Sequence, residues 1–151
     1  PMPAGHARLY HDYTKIIEGE SLLPTAKATE GKLRTQNIGS ASGGEHLWWL
    51  PTKADQEMTL SFDVKEAGNY ELILLLTHAS DYGSYQVLLD GKPIGSKPQD
   101  LYNAGITVQE HVFSPQKLDA GKHTLTFKGR GKNGASKGYY FGFDGLLLSK
   151  R

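Results

Sequence analysis

Between the turn signal Ala67-Gly68-Asn69 and His78 lies a segment, Tyr70 to Thr77, that is almost wholly apolar through Leu72-Ile73-Leu74-Leu75-Leu76. The run is well short of the ~18 apolar residues of a spanning helix. Its length and bounding turn suit a strand buried on both faces. Such a strand belongs in the middle of a sandwich, with cover on each side.

Elsewhere the period is two. Met58, Leu60, Phe62 and Val64 alternate with Thr59, Ser61 and Asp63, which marks a strand with one buried and one wet face. Tyr85 to Leu89 leads into Asp90-Gly91, the pair that a type I′ hairpin requires because both central residues take positive φ, and then into Lys92-Pro93-Ile94. Short runs at Thr14 to Glu18, Lys32 to Ile38 and His46 to Leu50 precede these. Ile106 to Phe113, His123 to Phe127 and Tyr140 to Leu148 follow them. The expectation is eight to ten strands and no helix longer than a turn. Evenly spaced short strands with glycine-rich connections, 18 Gly in 151 residues, predict an all-β fold, a β-sandwich of the jelly-roll type. One domain is expected over 14–151, with 1–13 as a linker or loosely docked tail.

Composition removes several kinds of function. There is no cysteine, which excludes disulfides, zinc-thiolate sites and thiol catalysis. Seventeen Lys and Arg balance sixteen Asp and Glu without forming blocks, so neither nucleic acid nor a membrane surface is an expected partner. Gly129-Arg130-Gly131-Lys132-Asn133-Gly134 fits G-x-G-x-x-G, but it leads into another strand instead of opening a helix and reads as a surface loop. No H-E-x-x-H or G-x-S-x-G occurs. A small sandwich with little inserted loop has scant means of building a deep catalytic cleft, so a non-enzyme is expected.

Three constellations remain. Glu18 and Glu20 lie two apart, so an extended strand projects both carboxylates to one side. Asp144 interrupts an otherwise apolar final strand, where a buried carboxylate needs a partner. Calcium, which takes six to eight oxygens, suits such a set. The second constellation is aromatic: Trp48, Trp49, Tyr82, Tyr85, Tyr102, Tyr139 and Tyr140 stand near loop–strand junctions. Adjacent Trp48 and Trp49 must point to opposite faces, one into the core and one able to be exposed. Tyr85 alternates with Val87 and Leu89 and reads as structural, while Tyr82, between Asp81 and Gly83, reads as a surface contact. The third is polar and loop-borne: His78, Asp81, Asp100, Asn103, Asn133 and Lys137.

Taken in order, Glu18-Gly19-Glu20, the turn Ala67-Gly68-Asn69-Tyr70, Leu89-Asp90-Gly91, Ala120-Gly121-Lys122-His123-Thr124-Leu125 and Phe143-Asp144-Gly145-Leu146 resemble the calcium-containing jelly-roll carbohydrate-binding modules of families 6, 35 and 36. The resemblance covers about residues 15 to 149. It implies a galactose-binding-domain-like sandwich with a structural Ca2+ held by Glu18, Glu20 and Asp144. It also implies a sugar site in the loops at one end, around Trp48 and Trp49, with Asp81 and Tyr82, and with Asn133, Lys137 and Tyr139 before the last strand.

The expected function is a non-catalytic module that holds an attached catalytic domain against a polysaccharide or oligosaccharide. A secreted or periplasmic setting follows from the resemblance, although the N-terminus Pro1-Met2-Pro3 shows no signal-peptide pattern. Two rivals stand beside this reading: a structural or protein-docking β-sandwich domain of a multidomain secreted enzyme, and, less favoured, a small glycoside hydrolase or lyase.

Overall fold

The computed structural model describes residues 13–151; all of the expected tail except Tyr13 lies outside the described residues. Among the described residues eleven strands run in order: β1 (Ile17–Glu18), β2 (Lys27–Ala28), β3 (Lys32–Asn37), β4 (Glu45–Leu50), β5 (Glu57–Val64), β6 (Gly68–His78), β7 (Ser84–Leu89), β8 (Lys92–Asp100), β9 (Thr107–Leu118), β10 (Gly121–Gly129) and β11 (Phe141–Lys150). They form two antiparallel sheets. The larger has the order β3-β4-β11-β6-β9, with β1 added to β11, and the smaller has the order β2-β5-β10-β7-β8. The chain is an all-β jelly-roll sandwich, as its periodicity predicts.

β6 is central to the larger sheet and buried along nearly its whole length. Leu72, Leu74 and Leu76 face the smaller sheet. They join Leu47, Trp49, Phe141 and Phe143 on their own sheet and Leu60, Phe62, Leu125 and Phe127 across the gap. Ile73 and Leu75 face the other way into a second, smaller core with Ile38, Ala41, Val108 and Leu147. The apolar run is thus explained by two covers, the opposite sheet and the segment after β3. β5 keeps the expected alternation, with Met58, Leu60, Phe62 and Val64 buried and Asp63 exposed. Asp90 (φ 50°) and Gly91 (φ 82°) take the two positive φ values of the β7–β8 hairpin.

Two expectations fail. Gly19–Thr25 forms a 3-10 helix of seven residues, longer than one turn, in a stretch whose sequence carries no helical period. The second concerns Glu18 and Glu20, which do not share an extended strand, because β1 stops at Glu18.

Candidate functional site

Two features dominate one region of the larger sheet. The first is acidic. β1 pairs with β11 through Ile17↔Leu146 and Glu18↔Gly145. The chain then crosses β11 so closely that a Cβ on Gly19 would lie 2.0 Å from the Phe143 carbonyl oxygen. Only glycine fits there, and the 3-10 turn that follows returns Glu20 to the side of Glu18. In β11 the register shifts between Phe143 and Gly145, a β-bulge. The bulge reverses the inward–outward alternation: Phe141 and Phe143 point into the main core and so does Leu146, one position out of phase. Asp144 is the residue at which that phase changes.

Asp144 is fully buried, and both its carboxylate oxygens accept the Ser42 backbone N–H, at 2.9 and 3.0 Å. Ser42 Oγ donates to Glu18 Oε2 at 3.0 Å. Ligand oxygens of Glu18, Glu20 and Asp144 all fall within 4.8 Å of one another. Glu18 Oε1 and Glu20 Oε1 are buried with no hydrogen-bond partner. Burial, opposed by the Ser42 N–H and reinforced by the charges of Glu18 and Glu20, pushes the Asp144 carboxyl up to about 7. Burial likewise raises Glu20. Three converging carboxylates with orphaned oxygens suit a hard divalent cation, which would satisfy those oxygens and remove the repulsion.

The second feature is an open pocket of about 450 Å³, within the range of small-ligand sites. Asp81 and Ser80, from the segment after β6, face Lys137, Tyr139 and Tyr140 from the segment before β11, with Pro51 and Thr52 closing the end of β4. Tyr140 meets Trp48 edge-on at 5.8 Å between ring centroids. Trp48 is half-buried, and the Arg34 guanidinium lies 6.0 Å over its ring. Backbone bonds from Lys137 N to Ser80 O (2.9 Å) and from Tyr140 N to Asp81 O (3.1 Å) tie the two walls together. Beyond Trp48 lies a smaller pocket of about 90 Å³, which also borders on Asp81.

Of the residues expected to contact ligand, Asp81, Lys137 and Tyr139 come together in the larger pocket and Trp48 stands beside it. Two expectations are corrected. Trp49 is fully buried, its indole N–H donating to the Glu30 carbonyl at 2.8 Å and its ring packed on Tyr85 and Phe141, so it is a core residue. Tyr82 is 3% exposed, drawn under by a bridge to Tyr140 and by the Ser136 hydroxyl, which donates to its carbonyl at 2.6 Å. Burial raises the Tyr82 phenol well above its ordinary range. Tyr85 is structural as expected, donating to the Tyr139 carbonyl.

Asn133 acts as a brace. Its Nδ2 donates to Asp100 Oδ2 and its Oδ1 accepts from Ala135 N, both at 2.9 Å. His78 joins His111 through facing Nε2 atoms at 2.8 Å, and Asn103 donates to the Gly105 carbonyl. Sequence reasoning omitted Pro51, Thr52 and Ser80 from the site and carried Tyr140 only in the aromatic constellation. Only the abrupt stop of β4 at Pro51 hinted at a loop wall there.

No family model and no curated protein matches the sequence. Solved structures do match. A xanthan lyase from Paenibacillus superposes with a TM-score of 0.79 at 24% identity over 90% of this chain, which spans 13% of the lyase. A family 35 carbohydrate-binding module from Clostridium thermocellum gives 0.60 at 21% identity, covering 89% of this chain and 97% of that module. The GH26-CBM35 β-(1,4)-mannanase of Podospora anserina gives 0.57 at 19% identity, covering 90% of this chain and 27% of the mannanase. At these identities the likeness is one of fold: this chain shares the jelly-roll sandwich of the matched module.

Proposed function

We infer that this chain is a non-catalytic carbohydrate-binding module that holds an attached enzyme on a polysaccharide. The observation that carries the reading is the open pocket in which Tyr139 and Tyr140 stand with Asp81 and Lys137. Sugar rings offer C–H faces to aromatic side chains and hydroxyls to charged ones, so the lining matches on both counts. The size of the fold supports it too, since the matched carbohydrate-binding module is spanned almost end to end whereas the matched enzymes are spanned only in part.

Glu18, Glu20 and Asp144 would hold a structural Ca2+, which supplies counter-charge to the three carboxylates. Through Ser42 this set fastens the segment after β3 onto the larger sheet. The chain's own residues do the binding: Tyr139, Tyr140 and the Trp48 edge give apolar contact, while Asp81 and Lys137 orient hydroxyls. A shallow site buries little ligand, so affinities in the micromolar to millimolar range are expected.

A glycan array followed by calorimetry tests the reading. Tyr139→Ala, Lys137→Ala and Trp48→Ala should each weaken a wild-type hit about tenfold, by loss of contacts of ~1 kcal/mol. A wild-type protein that retains no glycan refutes it.

A further inference from the structure

The smaller pocket beside Trp48 differs in character from its neighbour. At about 90 Å³ it falls far below the ~300 Å³ that begins to enclose a whole small ligand, so it suits a substituent and not a sugar ring. Ile38, Ala79 and Ile106 give it apolar walls, and Ile106 is 62% exposed at the rim. Tyr82, Trp48 and Gln36 supply the polar groups.

One of those polar groups is a donor with unused capacity. It is not the Trp48 indole, whose Nε1 is sealed from solvent with the Tyr82 side chain beside it. Gln36 is held by His46. His46 is fully buried, and burial depresses its imidazole to about 4, so the ring is neutral. Its Nδ1 accepts from Thr77 Oγ1 and its Nε2 donates to Gln36 Oε1, each at 2.8 Å. With Oε1 committed, the end of Gln36 left for a ligand is its NH2.

A group matching this pocket is small, carries a methyl for the walls of Ile38, Ala79 and Ile106, and presents one carbonyl acceptor to the Gln36 NH2. It is also uncharged, because Asp81 lies at the edge and repels a carboxylate. We propose that the pocket bounded by Trp48, Gln36 and Ile106 receives an acetyl substituent of the bound glycan. The sugar itself occupies the neighbouring pocket across the Trp48–Tyr140 contact. The proposal rests on the carbohydrate-binding reading and narrows it to acetyl-decorated polymers. His46 has a positioning role, fixing which end of Gln36 is presented.

The test uses acetylated xylan, glucomannan and xanthan, each in native form and after mild alkali, which removes O-acetyl esters and leaves the backbone. Wild-type protein should bind at least one native polymer about fivefold or more tighter than its deacetylated form, the effect of about one net hydrogen bond. Gln36→Glu keeps the acceptor for His46 and loses the donor. It should bring the ratio towards one, with binding of the deacetylated polymer retained. Because the wild-type comparison needs no variant, a misfolded substitution does not spoil it. Equal binding of native and deacetylated forms overturns the acetyl assignment while leaving the glycan reading intact, as does a preference that survives in Gln36→Glu. Retention of no polymer in either form overturns both.

Discussion

Asp144 accepts the Ser42 backbone N–H with both carboxylate oxygens, at 2.9 and 3.0 Å, so the last strand is tied directly to the segment that follows β3. The same carboxylate is one of three whose oxygens converge within 4.8 Å. Added Ca2+ at about a hundred times its Kd should stabilise the fold by ~2.7 kcal/mol, or about 5–10 °C in Tm for a chain of this length. A chelator should reverse the gain. Asp144→Asn should abolish the calcium-dependent increment and relieve repulsion among the carboxylates in the metal-free protein. Thermal melts with and without chelator check both; a Tm indifferent to calcium would give the three carboxylates another role.

The paired tryptophans should separate stability from binding. Trp49→Ala removes a fully buried side chain and its bond to the Glu30 carbonyl, and should cost about 3–5 kcal/mol. Trp48→Ala, on a half-buried ring, should cost less than half of that while weakening glycan retention. Urea unfolding beside affinity electrophoresis distinguishes the two.

Stability should fall on the acid side because of buried imidazoles. His46 and His111 are each depressed to about 4 by burial, His111 also by the neighbouring His78. Burial lowers His78 too, against a Tyr102 backbone bond and the charge of Asp100. A histidine whose folded value lies below the unfolded ~6.5 contributes its full stability above 6.5 and loses it as the pH falls towards 4. For His46 alone the loss at pH 5 is about 2 kcal/mol. A second proton on the His78–His111 pair, whose Nε2 atoms meet at 2.8 Å, would set two N–H groups against each other. Urea midpoints at pH 8 and pH 5 measure the slope. His46→Asn should lower stability at pH 8 and flatten the decline.

Gly19 is a steric prediction. A Cβ there would strike the Phe143 carbonyl at 2.0 Å, with backbone on both sides of the clash. Gly19→Ala should therefore destabilise by about 3 kcal/mol and uncouple Glu20 from Glu18. Calcium titration monitored by melting temperature reads the second effect, which Gly39→Ala should not produce, because nothing lies within 4 Å of its Cβ position.

The fold was legible where periodicity is strong. β5 and β6 declare their faces residue by residue, and Asp90-Gly91 carries its turn in its own backbone preferences. Asp144 stood out as a carboxylate in an apolar strand. What could not be read was which side of an alternation faces in. Trp48 and Trp49 are equivalent in sequence, and pairing of β4 with β11 decides between them. Tyr82 resembles a surface turn residue until Tyr140 and Ser136, both distant in sequence, are placed over it. The seven-residue 3-10 helix was illegible because it is formed by the tight passage of Gly19 across β11, a tertiary demand with no local period.

The two-residue ladder between β1 and β11 has a mechanical meaning. Ile17 pairs with Leu146 and Glu18 with Gly145 in antiparallel sense, so the chain leading into β1 and the chain running on from Leu146 leave the ladder at the same end. Tension applied across these two strands would peel them apart one rung at a time instead of shearing all rungs together. An ion gripped by Glu18, Glu20 and Asp144 would sit just past the last rung and act as the rivet that stops the tear. If the proposed calcium binds there, it would set how much pull this joint survives.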